Sequence, residues 1–228
     1  MTYTLITANR NYSSWSLRPW ALMSALKIRF KNEIIYFEED NYERFRKFAP
    51  NGQVPCLQDD GRTIWDSLAI IEYLAERHQG VWPVDEKARS WARCAVAEMH
   101  GGFAPLRNQC PMNIGVRAKL HAIDLPLQRN LDRISELFAD GWDSFGGPWL
   151  AGDSFTAVDA FYAPVAYRVR TFNLDIGYKG RAWVDHIIAH PVMQAWEAEA
   201  LAEKHREIDH EEEMAASAAI IDDFRVPV

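Results

Sequence analysis

Two rhythms of apolar and polar residues run along this chain. Residues 3–7, YTLIT, are β-branched and aromatic and stop at a polar turn, which predicts a short strand. From Ser16 to about Lys27, the spacing of Leu17, Trp20, Ala21, Leu22, Met23, Ala25 and Leu26 predicts a largely buried helix. Pro19 falls in the predicted first turn, where a missing N–H costs little, and Ser16 is the predicted N-cap. RFKNEIIYF (29–37) predicts a second strand. PCLQDD and RTIWD flank Asp60-Gly61, a turn pair that predicts a hairpin. Residues Asp66 to His78 predict a helix with Leu68, Ile70, Ile71 and Leu74 turned inward.

This order, βαβ, a loop with a short helix, then ββα, matches an α/β sandwich of thioredoxin-like type over residues 1–80. The proline-bearing HQGVWPVDE reads as a linker centred on 81–86. After it the period changes, and residues 87–228 read as an all-helical domain with a C-terminal tail. Leu120, Ile123, Leu127, Leu131, Ile134 and Phe138 step by three and four along one helix, in which Pro126 predicts a kink. In FTAVDAFYAPVAYRV, Thr156 and Asp159 have capping-box spacing, worth on the order of 1 kcal/mol. Val192, Met193, Trp196 and Ala200 open a last helix.

Composition narrows the function classes. The 228 residues carry a formal net charge of −7 and no basic cluster, which argues against nucleic acid or an anionic membrane as partner. No run approaches the roughly 18 apolar residues of a membrane span, and no export signal is visible at the start. Three cysteines, Cys56, Cys94 and Cys110, form neither a disulfide framework nor a metal-ligand spacing. The expectation is a cytoplasmic protein without metal.

Three segments, NGQVPCL, TIWDSLAIIEYL and FTAVDAFYAPV, occur in the order they have in the cytosolic glutathione transferases, and the chain resembles that family over about residues 3–200. SSWSLR and the 53–74 segment are most similar to the zeta class and related bacterial serine-type enzymes. Trp15 stands where zeta has cysteine, Asp66 where it usually has glutamine, and Thr171, with Arg168 and Arg170 nearby, where it has an arginine. The tail from about Ala202 has no counterpart in the pattern.

The resemblance implies a site. A free thiol near pKa 8.5 moved to about 6.5 requires roughly 2.7 kcal/mol of preferential anion stabilisation. Hydroxyls at the start of a helix can supply it, by donation and through the helix dipole. Ser14, four residues before Arg18 as in serine-type members, is the first candidate, and Ser13 the second. A cis peptide before Pro55 would turn the Val54 backbone toward an extended tripeptide, with Gln53 at its glycine end. Asp66 suits the γ-glutamyl ammonium, and Ser67 the carboxylate. Trp15, Phe103, Arg107, Tyr167 and Arg170 are candidates for the electrophile's side, and an arginine there favours anionic substrates. The resemblance also implies glutathione as co-substrate, a small electrophile and a homodimer. A zeta-like cis–trans isomerase and a glutathione-binding module without turnover remain open alternatives.

Overall fold

A computed structural model describes residues 3–228. Its first half runs β1 (Tyr3–Thr7), α1 (Ser14–Ala25), β2 (Phe30–Ile34), α2 (Asn41–Arg46), β3 (Cys56–Asp59), β4 (Arg62–Ile64) and α3 (Ser67–Ala75). The sheet order is β2-β1-β3-β4, with β1 and β2 parallel in the register Tyr3↔Phe30 to Thr7↔Ile34. Strand β3 runs antiparallel to β1, placing Leu57 opposite Leu5. Asp60 and Gly61 both take positive φ, 47° and 76°, as a two-residue turn matched to strand twist requires. Strand β2 ends earlier than the apolar pattern suggests, and the Phe37 N–H donates to Asn9 Oδ1 (2.8 Å) instead of to a strand.

Helix α1 also starts earlier than expected. Ser13, not Ser16, is its N-cap, accepting from the Ser16 N–H, because the Ser16 hydroxyl is taken by the Ala8 N–H (3.1 Å). Pro19 therefore lies inside the helix rather than in its first turn, and the Trp15 carbonyl has no N–H donor four residues on.

The second half holds α4 (Glu86–Gly101), α5 (Ala104–Gln109), β5 (Val116–Leu120), α6 (Leu125–Phe145), α7 (Ala157–Phe172), α8 (Gly177–Ala189), α9 (Pro191–Ala202), α10 (Ile208–Ser217) and β6 (Ala218–Asp223). The expectation of helices alone needs one amendment: β5 and β6 pair antiparallel as a ribbon, Val116↔Asp223 to Leu120↔Ala218. Leu120 thus belongs to a strand and Ile123 is half exposed, so the buried face of α6 starts at Leu127. Asp124 caps α6, which puts Pro126 in the first turn, where it removes no helical hydrogen bond. The kink expectation was a misplacement of the helix start.

Helix α7 is the central post. Its capping box forms as the spacing predicts, and Asp159 also accepts from the Leu150 N–H (2.9 Å) and Trp183 Nε1 (3.0 Å). Burial pushes the Asp159 carboxyl up to about 6 in spite of those donors. One apolar core joins both halves: Leu17 and Leu22 of α1 share it with Phe161 of α7 and Trp183 of α8. No helix among the described residues is long and apolar enough to cross a membrane.

Candidate active site

Where α1 begins, the two halves leave a cavity of about 570 Å³ between them. Ser13 and Ser14 stand on its wall, both nearly buried. Their hydroxyls are not equivalent. Ser13 Oγ donates to Ser16 Oγ (2.7 Å) while accepting from the Ser16 N–H, so it is engaged in holding the turn. Ser14, the first residue of α1, has no side-chain hydrogen bond among the described residues. A helix start presents unpaired N–H groups and a positive dipole end. The cavity therefore carries one uncommitted hydroxyl at a point that favours negative charge.

The opposite wall comes from the loop before β3 and the start of α3. The Val54–Pro55 peptide is cis, as the resemblance implies, and Gln53, Val54 and Pro55 line the cavity. Neither the N–H nor the carbonyl of Val54 is bonded among the described residues, which leaves both free for an extended ligand. Asp66 caps α3 by accepting from the Leu68 N–H (2.9 Å), and its other oxygen lies 3.4 Å from His100 Nε2.

The helical half supplies positive charge. Arg107 and Arg168 line the cavity and neither is ion-paired among the described residues, their bonds going to carbonyls of Met99, Cys110 and Pro164. Behind them Arg18 is buried, its guanidinium carbon 3.9 Å from the Trp15 ring centroid and 4.8 Å from that of Phe161. Its Nε and Nη1 have no partner among the described residues. Burial, then repulsion from Arg168 and Arg107, lowers Arg18 to about 9, and burial lowers Arg168 to about 10. Buried like charges of this kind favour an anion placed among them.

Four of the candidate residues lie off the cavity wall. Ser67 is buried with its hydroxyl unpartnered and off the cavity wall, because α3 turns its first side chain into the core. Phe103 adopts a left-handed backbone (φ 57°) before α5 and packs into the core, its ring 6.5 Å from that of Tyr162. Arg170 faces away from the cavity and pairs through two nitrogens with Glu197 (2.7 and 2.9 Å). Tyr167 is buried and donates to the Met193 carbonyl (2.8 Å).

Other lining residues stand outside the candidate set. Arg168 was signalled by a lone charge inside the apolar stretch FYAPVAYRV. His100 and Met112 carry no such signal. His210 and Glu213 come from α10 in the tail, where sequence spacing alone indicates no approach to residue 14. The Cys56 thiol sits beyond Pro55 in the core, pushed up to about 11 by burial.

Comparisons with known proteins agree with this architecture. Residues 12–77 match the model of the glutathione S-transferase N-terminal domain, and residues 120–199 that of the C-terminal domain. The chain is 31% identical over 150 residues to glutathione S-transferase GstA of Escherichia coli O157:H7, spanning 60% of this chain and 68% of that protein. It is 28% identical over 178 residues to a probable maleylacetoacetate isomerase of Caenorhabditis elegans, spanning 73% of this chain and 78% of that one. The maleylacetoacetate isomerase of Rattus norvegicus is 27% identical, with 59% and 62% of the two chains covered. A glutathione transferase homolog from Burkholderia with bound glutathione superimposes with a TM-score of 0.66 at 21% identity, over 88% of this chain and 98% of that one. With both domain models matched in order around the cavity where they meet, this chain belongs to the glutathione S-transferase family.

Proposed function

We propose that the protein is a serine-type glutathione transferase in which Ser14 stabilises the glutathione thiolate for attack on a small electrophile. The observation that carries this reading is the uncommitted Ser14 hydroxyl on the cavity wall at the first residue of α1. A charge-assisted donation to sulfur and the dipole of α1 add to the field of Arg107 and Arg168. Together they need to supply roughly 2.7 kcal/mol to bring a thiol from about 8.5 to about 6.5. The tripeptide lies along the Val54 backbone in extended form, its glycine end toward Gln53 and its ammonium group toward Asp66. With Ser67 buried, the γ-glutamyl carboxylate rests on backbone N–H groups at the start of α3. Residues 1–80 then form the thiol-binding half, 81–86 the connection and 87–228 the electrophile's side, with the working unit a homodimer.

The paired positions of Arg107 and Arg168 support a second, narrower reading: an isomerase of zeta type acting on an anionic double bond, in which glutathione adds and later leaves. Two related proteins named as maleylacetoacetate isomerases accord with it. Parallel assays separate the readings. Activity on a neutral aryl halide supports the transferase, whereas activity confined to a cis-enone diacid supports the isomerase. Glutathione binding without turnover of any electrophile or peroxide overturns both and leaves a binding module. Ser14→Ala with unchanged turnover removes the thiolate role from Ser14.

A further inference from the structure

We propose that the C-terminal segment from Glu203 to Arg225 is a working part of the thiol site, with Glu211 as the positioning residue through which it sets the serine corner. This rests on the transferase reading above.

The corner between β1 and α1 closes locally through Ser13 and Ser16, with the Ser13 N–H on the Asn9 carbonyl (2.9 Å), but residues 10–12 inside it are held mainly from far along the chain. The Arg10 and Asn11 N–H groups donate to the two oxygens of Glu203 (3.1 and 3.2 Å), and the Arg10 carbonyl accepts from Trp196 Nε1 (2.9 Å). The Asn11 side chain donates to Asn113 Oδ1 (2.7 Å) and accepts from the Gly115 N–H (2.9 Å). The next residue, Tyr12, sends its hydroxyl to Glu211 (2.7 Å). Residues 10–12 are thus tied to positions about a hundred and two hundred residues away.

Glu211 is where three chain segments meet. Besides Tyr12, it accepts from Asn113 Nδ2 (3.0 Å) and from both terminal nitrogens of Arg225 (2.6 and 3.1 Å). The β5–β6 ribbon brings Arg225 back to α10, and Asp223 holds it from the other side (2.7 Å). The line to the reactive end is short. Tyr12 abuts Ser13, and the Tyr12 carbonyl accepts from the Ser14 N–H (2.9 Å). One residue before Glu211, the His210 ring lies 5.2 Å from that of Tyr12 and is stacked on Phe37 at 5.3 Å. His210 and Glu213 line the same cavity as Ser14, so the segment that ties the corner also walls the site. A hydroxyl must hold its direction to within tenths of an ångström to be worth its full effect on a developing anion. Releasing Tyr12 loosens the first turn of α1 and with it the aim of Ser14.

The test compares Glu211→Gln and Tyr12→Phe with wild type, with Glu212→Gln on the exposed face of α10 as control. Thiolate absorbance of bound glutathione against pH gives the thiol pKa, and S-methylglutathione, which has no ionisable thiol, gives binding alone. The expected result is a thiol pKa about one unit higher in both variants. It should come with roughly tenfold lower kcat/KM at neutral pH and less than twofold change in S-methylglutathione affinity. The Glu212→Gln control should match wild type. A thiol pKa equal to wild type in the variants, with only a lower Tm, overturns the proposal and leaves the segment a structural brace. If Glu211→Gln does not fold, Tyr12→Phe, which removes one hydroxyl and keeps the ring, decides alone. A wild-type thiol pKa at the free value overturns the transferase reading instead.

Discussion

The two walls of the cavity are supported in different ways. The 51–68 wall is bonded mostly within itself: Asn51 Oδ1 accepts from the Gln53 N–H (3.2 Å), Asp66 caps the helix that follows it, and only its second oxygen reaches the helical half, at His100 Nε2 (3.4 Å). In the serine corner, residues 10–12 instead draw bonds from Asn113, Gly115, Trp196, Glu203 and Glu211. A wall built from adjacent residues is written in a short motif and travels with it. A wall built from distant ones depends on the rest of the chain being in place.

The sharpest way to break this contrast is to cut one support from each wall. Glu203→Ala leaves two buried N–H groups without acceptors, for about 2–4 kcal/mol of lost stability by chemical denaturation. Asn51→Ala, at an exposed loop bond, should cost no more than about 0.5 kcal/mol. Comparable losses in the two variants would erase the distinction. Next in size is the division of labour between the serines. Ser14→Ala should lower kcat/KM about 30-fold, the equivalent of roughly 2 kcal/mol of the roughly 2.7 that the hydroxyl, the dipole and the arginines share, with stability nearly unchanged. Ser13→Ala should cost roughly 1 kcal/mol of stability through the lost cap, with a smaller kinetic effect. The reverse pattern would move the sulfur contact to Ser13.

Acid should loosen the remote support. Burial would raise Glu211, but donation from Arg225, Tyr12 and Asn113 outweighs it and holds the carboxyl below its ordinary 4.5. Its contribution is therefore present above that value and is lost as pH falls through the depressed one. Glu203, pushed up by burial, gives a slope of opposite sign above 4.5. Amide exchange at Asn11 and Ser14 should accelerate as pH falls below 4.5, before exchange in β1 does, and Glu211→Gln should abolish that step. The smallest effect belongs to the local wall: Gln53→Ala should raise the glutathione KM only a few-fold, with kcat unchanged, for loss of a single exposed amide contact.

Legibility in the sequence follows the same division. Strands β1 and β3, the Asp60-Gly61 turn and the Thr156–Asp159 box are set by residues within a few positions of one another, and short-range pattern finds them. Helix starts were displaced where a cap had competitors, as with Ser13 over Ser16 and Asp124 ahead of Pro126. Strand β6 gave no alternating signal because AAIIDD buries only its first residue. Strand β5 did carry one in VRAKL, whose Val116 and Ala118 are buried. Ser67, Phe103 and Arg170 have suitable chemistry at suitable spacing, yet the side a helix or loop turns inward is decided by packing that spacing does not record.

Cys56 gives the serine corner an unusual independence. The thiol that follows the proline loop is sealed in the core and burial pushes it up to about 11, and Cys110 is buried likewise. On the proposed transferase reading, a site that holds a visiting thiolate through serine has no thiol nucleophile of its own there to be capped by peroxide or trapped in a covalent adduct. It should keep working through the oxidative episodes that silence cysteine-based counterparts.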